Sequence, residues 1–208
     1  MNIFKFLLID AALAIAAIPI LFVLQGGKRK SPLLKSSNKE ELLRKSSIKL
    51  PEKEKLLELE KLAKNQGSGI EFYSLIGDWK FVSVWKKDID EEDPVFSSLL
   101  RIFSANIAFK KDISTENSTK FSVVASIQFG LFTIEFSGSG CLKGKQPLLP
   151  FCLNLIELKA GSNILLRRSL KEPEDKEKSL FGMIALEEND ELLSARVQGG
   201  EVVIWLKD

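Results

Sequence analysis

The stretch FSVVASIQFGLFTIEFSG, residues 121–138, decides the class of fold. Apolar and polar residues alternate along its first half, as in a β-strand with one buried face. The alternation resumes after Gly130, with Thr133 and Glu135 at polar positions. Two alternating runs joined by a glycine predict a β-hairpin. Its apolar face is predicted to consist mainly of Phe121, Val123, Ile127, Phe129, Phe132, Ile134 and Phe136.

Short apolar runs between turn residues continue over the rest of the C-terminal two-thirds. Residues 95–104 follow Asp93-Pro94, a helix-start signal, and predict a short helix. Eight or nine antiparallel strands with one apolar face usually avoid exposed edges by closing into a β-barrel or folding into a sandwich, and the up-and-down spacing favours the barrel. The expected fold is therefore mainly β. The further strands are predicted over residues 79–86, 106–110, 153–159, 163–169, 180–187, 192–198 and 201–207.

The N-terminal region carries a different signal. Residues 6–24 are apolar except for Asp10, and residues 3–24 are long enough for a transmembrane helix. Lys28-Arg29-Lys30 follow at once, which favours a single-pass anchor with the remaining chain cytoplasmic or stromal. A cleaved signal peptide and a buried core helix are the two alternatives.

A basic neck separates this anchor from the β domain. Residues 28–68 hold 12 Lys and Arg against 6 Glu, which suits either an anionic lipid surface or a solvated linker. Two helices are predicted in it, over residues 39–45 and 52–65, and the second has a leucine stripe expected to pack on the next domain. Nucleic acid is not expected, because Glu interrupts the basic residues and no aromatic residues accompany them. The predicted organisation is an anchor (1–27), the neck (28–68) and the β domain (69–208).

The composition excludes several kinds of chemistry. The chain has no His, which removes Ser-His-Asp and Cys-His catalysis and imidazole metal sites. Its two cysteines, Cys141 and Cys152, are too few for a four-thiolate site and flank a turn across which they could meet. We therefore expect no enzyme activity, no metal and no cofactor.

Two motifs resemble one known family. LIGDWKF at residues 75–81 opens the β region, and residues 193–206, with Arg196 and Gly199-Gly200, close it. Over roughly residues 52–207 this pairing resembles the plastid lipid-associated proteins, or fibrillins, a lipocalin-like family of plastids and cyanobacteria. The sequence departs from the family pattern at Ser83-Val84-Trp85 and at Val197. The resemblance implies a lipocalin-like barrel that binds lipid at a photosynthetic, thylakoid-like membrane.

The same motifs suggest a structural plug for one end of the barrel. Gly77 allows positive φ or close backbone approach, Trp79 fills the end, and Arg196 is expected to stack on the indole. The alternative is that Trp79 is an ordinary core aromatic residue and Arg196 a surface charge. No catalytic role is assigned to any of the three.

Two functions follow from these expectations. The first is a membrane-tethered, non-enzymatic protein that binds a lipid or small apolar molecule inside the barrel, against the seven hairpin residues named above. The second is a membrane-tethered interaction module that assists assembly or stability of a membrane protein complex. An eight-stranded barrel is either hollow enough for one small ligand or filled by its own side chains, and that difference separates the two functions.

Overall fold

The computed structural model describes residues 50–111, 120–141, 148–170, 179–187 and 191–208. The fold is mainly β, as predicted from the sequence. Helices α1 (Lys53–Gln66), α2 (Phe72–Leu75) and α3 (Pro94–Ile102) accompany nine strands. The strands are β1 (Gly77–Trp85), β2 (Asn106–Lys111), β3 (Lys120–Phe129), β4 (Phe132–Cys141), β5 (Leu148–Ala160), β6 (Asn163–Ser169), β7 (Ser179–Glu187), β8 (Leu192–Val197) and β9 (Val202–Lys207).

All nine strands belong to one antiparallel sheet, in the order β4-β3-β2-β1-β9-β8-β7-β5-β6. An additional pairing of β4 with β5 joins eight of them into a ring. Strand β6 lies outside this ring, and in the described part of the chain it pairs with β5 alone. The prediction of eight or nine antiparallel strands is confirmed, with nine in the described part of the chain.

Strand β5 belongs to two parts of the sheet. Leu148–Phe151 pair with β7 and complete the ring, whereas the residues from Leu155 to Ala160 pair with β6. The sequence placed the start of this strand at Leu153, five residues too late. The second half of β5, together with β6 and the adjoining end of the β3–β4 hairpin, therefore extends beyond the ring.

Helix α1 packs on the outer face of the ring. Leu56 is buried in a cluster with Ile184, Leu192 and Ile204, and Ala63 is buried two turns further along. The leucine stripe of this helix was predicted to pack on the following domain, and this is confirmed for Leu56. Leu62 instead faces solvent, with half of its surface exposed. The helix ends at Gln66 and is capped by Gly67. The φ of Gly67 is 93°, a value that glycine adopts easily because it has no Cβ atom.

Helix α3 begins as its sequence predicts. The Asp93 side chain accepts a hydrogen bond from the Phe96 backbone N–H at 3.0 Å, and Pro94 occupies the first turn. The buried Ser97 hydroxyl lies 3.0 Å from the Val84 nitrogen, so the helix runs alongside the half of β1 that does not pair with β2. It thereby covers that edge of the strand.

The predicted N-terminal features lie outside the described residues. These features are the apolar segment 3–24, the basic cluster 28–30 and the neck helix 39–45. None of the helices within the described ranges is long and apolar enough to cross a membrane.

Candidate functional site

The seven predicted hairpin residues share one face of β3 and β4. In the antiparallel register Phe129 lies opposite Phe132 and Ile127 opposite Ile134, while Ala125 lies opposite Phe136. Residues directly opposite in a register point to the same face, and alternate residues of one strand do so as well. We call this surface the apolar face. It lies on the side of the sheet opposite helix α1.

One half of the apolar face is sealed. Phe121 and Val123 are fully buried, and the Phe121 ring packs against Phe109 with 5.5 Å between ring centroids. Phe72 of helix α2 lies 5.9 Å from the same ring and covers this end. A Cβ atom at Gly140 would come within 2.7 Å of the Phe121 ring, so the interior here has no room for a further methyl group.

The other half of the apolar face is open at the tip of the hairpin. Ile127 and Phe136 are still buried, but Phe129 and Ile134 are only partly buried and Phe132 is 47% exposed. Burial therefore falls steadily along the hairpin toward Gly130. The predicted ligand residues consequently divide into a filled half and an accessible half.

Two residues that were not assigned to the site extend the open half. Leu158 of β5 lies opposite Ile134 and also opposite Leu166 of β6. Leu158 is partly buried and Leu166 is exposed. The apolar residues at alternate positions in β5 could have indicated Leu158. Nothing in the β6 sequence indicates which of its three consecutive apolar residues shares this face.

The opposite face of the same strands carries a ladder of charges. Lys159 Nζ lies 2.8 Å from Glu135 and 3.0 Å from Glu157, and Arg167 Nε lies 2.5 Å from Glu157. Hydrogen bonds from Lys159 and then Arg167 lower the pKa of the Glu157 carboxyl. The hydrogen bond to Glu135 is the main reason that the pKa of Lys159 is raised. The part of the sheet that extends beyond the ring is thus apolar on one face and ionic on the other.

The predicted stacking of Arg196 on Trp79 is wrong. Trp79 pairs with Lys207 near one end of β1, whereas Arg196 pairs with Val202, which pairs with Trp85 at the other end. Lys207 Nζ, rather than an arginine, lies over the Trp79 ring at 5.2 Å from its centroid. Closure of the ring therefore brings a different cation to the indole.

Trp79 itself lies fully buried at the sealed end. Its indole N–H donates to the Leu75 carbonyl at 2.8 Å, which ties β1 to helix α2. Gly77, at the entrance of the strand, has a φ of 141° and lies so close to Lys207 that a Cβ atom would be 3.1 Å from its Cε. Of the two expectations at Gly77, the positive φ is confirmed, and the nearest atom belongs to a side chain rather than to backbone.

Arg196 instead holds helix α1 on the sheet. Its Nε and Nη2 donate to the two Glu60 carboxylate oxygens at 2.7 and 2.6 Å, and Nη2 also lies 3.1 Å from Asp90 Oδ1. Burial raises the pKa of Glu60, but hydrogen bonds from Arg196 and Lys64 outweigh burial and lower it overall. Glu60 was not singled out in the sequence, although its position one turn after Leu56 on the buried side of α1 was a usable signal.

A groove lies between helix α1 and strands β7 and β8. Its volume is about 290 Å³, and Ala63, Leu148 and Met183 are among its lining residues. Glu60 and Arg196 also line it, but both are already engaged with each other. The groove therefore offers apolar surface to a ligand, while the charges of Glu60 and Arg196 are already paired with each other.

In the described part of the chain, the cysteines and carboxylates form neither a disulfide nor a metal site. Cys141 pairs with Lys120 and Cys152 with Ser139, and no disulfide joins the two cysteines. Among the described residues no group of three or more Cys, Asp or Glu side chains has an arrangement that could hold a metal ion.

Comparison with known proteins adds no relative to this picture. The chain matches no protein-family model, no curated protein and no solved structure.

Proposed function

We propose that the chain is a membrane-tethered, non-enzymatic protein that binds a lipid or a similar small apolar molecule on the open half of the apolar face. The proposal keeps the relationship to the lipocalin-like fibrillins that the 75–81 and 193–206 motifs suggest, and with it a photosynthetic, thylakoid-like membrane. It changes the place of binding from an enclosed interior to the accessible end of the ring.

The burial gradient along the hairpin carries this proposal. An apolar face that is filled at Phe121 but only partly covered at Phe129 and Ile134 leaves hydrophobic surface in contact with water. Covering that surface with an apolar molecule is favourable, at roughly 25 cal/mol for each Å² removed from water. Binding sites for small molecules are commonly lined in this way by apolar and aromatic side chains.

Binding, rather than catalysis, is supported by the chemistry of the open half. Its lining side chains, Phe129, Phe132, Ile134, Leu158 and Leu166, neither donate nor accept protons. The ionic residues Glu135, Glu157 and Lys159 lie on the opposite face of the same strands. General acid or base catalysis needs a titratable group within reach of the ligand.

The membrane tether in this proposal is the segment 3–24, followed by the basic neck at an anionic lipid surface. The β domain would then be cytoplasmic or stromal. Alkaline carbonate washing tests the tether, because a span buried in hydrocarbon stays with the membrane while a peripheral protein is released. Release of the full-length chain would contradict it.

Organic extraction of the purified full-length chain, followed by mass spectrometry, tests the binding site. We expect a co-purified apolar molecule that is lost in Leu166→Asp, because a carboxylate on the open half disfavours an apolar ligand. Leu62→Asp is the matched control, since Leu62 is a similarly exposed leucine on helix α1. Equal amounts of the molecule in both variants would rule out this face as its site.

A second candidate function is supported by the sealed half. A ring filled by Phe109, Phe121 and Trp79 suits an interaction module that assists assembly of a membrane protein complex through its surface. Extraction that yields no apolar molecule, together with crosslinking of the chain to the same membrane protein in repeated preparations, would favour this second function over the first.

A further inference from the structure

Five large apolar side chains are exposed at one end of the molecule. Leu131 is 80% exposed, Leu165 and Leu166 are each 56% exposed, and Phe132 and Ile164 are about half exposed. We call these residues, which lie in the β3–β4 turn and in β6, the apolar tip. Isolated exposed apolar residues are ordinary on protein surfaces, but a group of them marks a site of interaction.

The two parts of the apolar tip are joined by the backbone. The Gly161 N–H, in the β5–β6 turn, donates to the Leu131 carbonyl at 3.0 Å. The two hairpin turns therefore lie side by side. Leu166 lies opposite Leu158 on the apolar face, whereas Ile164 lies opposite Lys159 on the other face, so the apolar tip has exposed apolar residues on both faces of this end of the sheet. On the other side of the β3–β4 hairpin, Phe103 packs on Phe129 with 5.8 Å between ring centroids, which fixes the base of the tip.

Positive charge accompanies the apolar tip. Arg168 is exposed and lies opposite Ile156, so it shares a face with Leu166 two residues earlier. In the described part of the chain Arg168 has no ion-pair partner, whereas its neighbour Arg167 is held by Glu157 on the opposite face. Apolar side chains next to a basic side chain suit the boundary between acyl chains and anionic headgroups.

The proposed tether gives the tip access to a bilayer. Residues 25–49 lie between the predicted span and the first described residue, Leu50. A fully extended chain of that length reaches at most about 80 to 90 Å. The tip can therefore contact the membrane that holds segment 3–24, at an effective concentration far above that of an untethered domain.

From these observations we infer that the apolar tip docks on the surface of an anionic lipid bilayer, as a second membrane contact besides the N-terminal segment. This inference rests on the proposed tether but not on a bound ligand. In the docked state Leu131, Leu165 and Leu166 enter the acyl boundary, and Arg168 lies at the headgroups. The open half of the apolar face then adjoins the bilayer, so an apolar molecule reaches it without crossing water.

Tryptophan quenching by brominated lipid measures this contact directly. The three native tryptophans, Trp79, Trp85 and Trp205, are buried, so bromine on the acyl chains should quench their emission little. Full-length Leu165→Trp and Leu62→Trp variants would be reconstituted in phosphatidylcholine–phosphatidylglycerol vesicles, with and without bromine on the acyl chains. We expect bromine to quench the added emission of Leu165→Trp and to leave that of Leu62→Trp, on helix α1, unchanged.

A second substitution in the Leu165→Trp variant tests whether docking requires the positive charge of Arg168. A basic residue near an anionic surface contributes about 1 kcal/mol, so Arg168→Gln should lower the ratio of docked to undocked protein about five-fold. The same substitution should have no effect on vesicles of phosphatidylcholine alone. An unchanged ratio on the anionic vesicles would overturn the assignment of an anionic surface.

The outcomes separate docking from the function proposed above. A chain that floats with the vesicles but shows no quenching at residue 165, or equal quenching at residue 62, overturns the docking and leaves the tether in place. A chain that does not float with the vesicles overturns both. Extraction of an apolar molecule from the native chain bears on the ligand alone, and quenching of Leu165→Trp bears on docking alone. Leu166→Asp affects both, because Leu166 belongs to the open half and to the apolar tip.

Discussion

The sealed end of the ring and its open end are built from the same hairpin but treat apolar side chains differently. At the sealed end Phe121 and Trp79 are fully buried, and helix α2 covers them. At the open end Phe132 and Leu166 continue the same face into solvent. Stability is therefore expected to reside in one end and binding in the other.

The charged residues divide differently, into a group shielded from water and a group exposed to it. Glu60 and Arg196 form a two-point contact beneath helix α1, with Asp90 as a third member. The Glu135–Lys159–Glu157–Arg167 ladder lies on the projecting strands, where the Arg167 side chain is largely exposed. Ion pairs that are shielded from water couple more strongly than exposed ones. The first group should contribute more to stability than the second.

Truncation of Trp79 should produce the largest effect. Trp79→Ala removes a fully buried aromatic side chain and its hydrogen bond to Leu75, with an expected loss of about 3 to 5 kcal/mol in the free energy of unfolding. Phe132→Ala, at the open end, should cost about 1 kcal/mol or less. Urea denaturation of the detergent-solubilised chain measures both. Similar losses would contradict the division into a sealed and an open end.

Removal of the Glu60 carboxylate should rank second. Glu60→Ala leaves Arg196 with Asp90 and the Gly200 carbonyl alone, and we expect a loss of about 1.5 to 3 kcal/mol, typical of hydrogen bonds between charged groups. Glu58→Ala, on the exposed side of the same helix, should stay within about 0.5 kcal/mol. If both variants unfold at the same urea concentration, the contact with Arg196 does not hold the helix in place.

A methyl group at Gly140 tests how tightly the sealed half is filled. Gly140→Ala places Cβ within 2.7 Å of the Phe121 ring, and overpacking of this kind costs about 1 to 3 kcal/mol. Gly182→Ala is the control, because its Cβ would lie 3.6 Å from the nearest atom, the Arg196 carbonyl oxygen. A neutral Gly140→Ala variant would mean that the interior has spare volume, as a ligand cavity would require.

Acid should weaken the attachment of helix α1 to the sheet through Glu60. Because the pKa of Glu60 is lower in the folded chain than its ordinary value of 4.5, ionised Glu60 stabilises the fold above that value. This stabilisation is lost as the pH falls through the folded pKa. Thermal unfolding followed between neutral and acidic pH should therefore show a shallower decline for Glu60→Gln than for the native chain. Parallel curves would contradict a lowered pKa.

The smallest effect on stability is expected at the tip of the open end. Leu131→Ser changes a side chain that is mostly in water, so the free energy of unfolding should change by no more than about 0.5 kcal/mol. The same variant should nevertheless reduce bromolipid quenching of the Leu165→Trp reporter. A clear loss of stability with unaltered quenching would place Leu131 in the core rather than in a membrane contact.

Much of the fold could be predicted from the sequence. Alternation over residues 121–138 predicts the β3–β4 hairpin, and the Asp93-Pro94 signal predicts helix α3. Patterns of this kind are local, since each depends on a few neighbouring residues. The ring of eight strands could be predicted less directly. Its prediction depended on the number of strands and on the tendency of sheets to avoid exposed edges.

The errors concern contacts between distant residues. Arg196 and Trp79 were expected to meet because each lies near a motif at one end of the β region, but the register along β8, β9 and β1 places them at opposite ends. Register describes how two paired strands are aligned, so it cannot be determined from the sequence of one strand. The position of β6 outside the ring was missed for the same reason.

The seam between β5 and β7 has a consequence for how the molecule opens. Within the described residues these strands pair over Leu148–Phe151, and Pro150 in that stretch has no amide hydrogen to donate. The β3–β4 ladder, by contrast, runs the full length of both strands. Local opening breaks fewer hydrogen bonds at this seam than along the β3–β4 ladder, so amide hydrogens of Leu149 and Phe181 should exchange with solvent deuterium sooner than those of Val123 and Val124. The ring is then expected to open more readily on the strand that also carries β6 than along the hairpin that carries the apolar face.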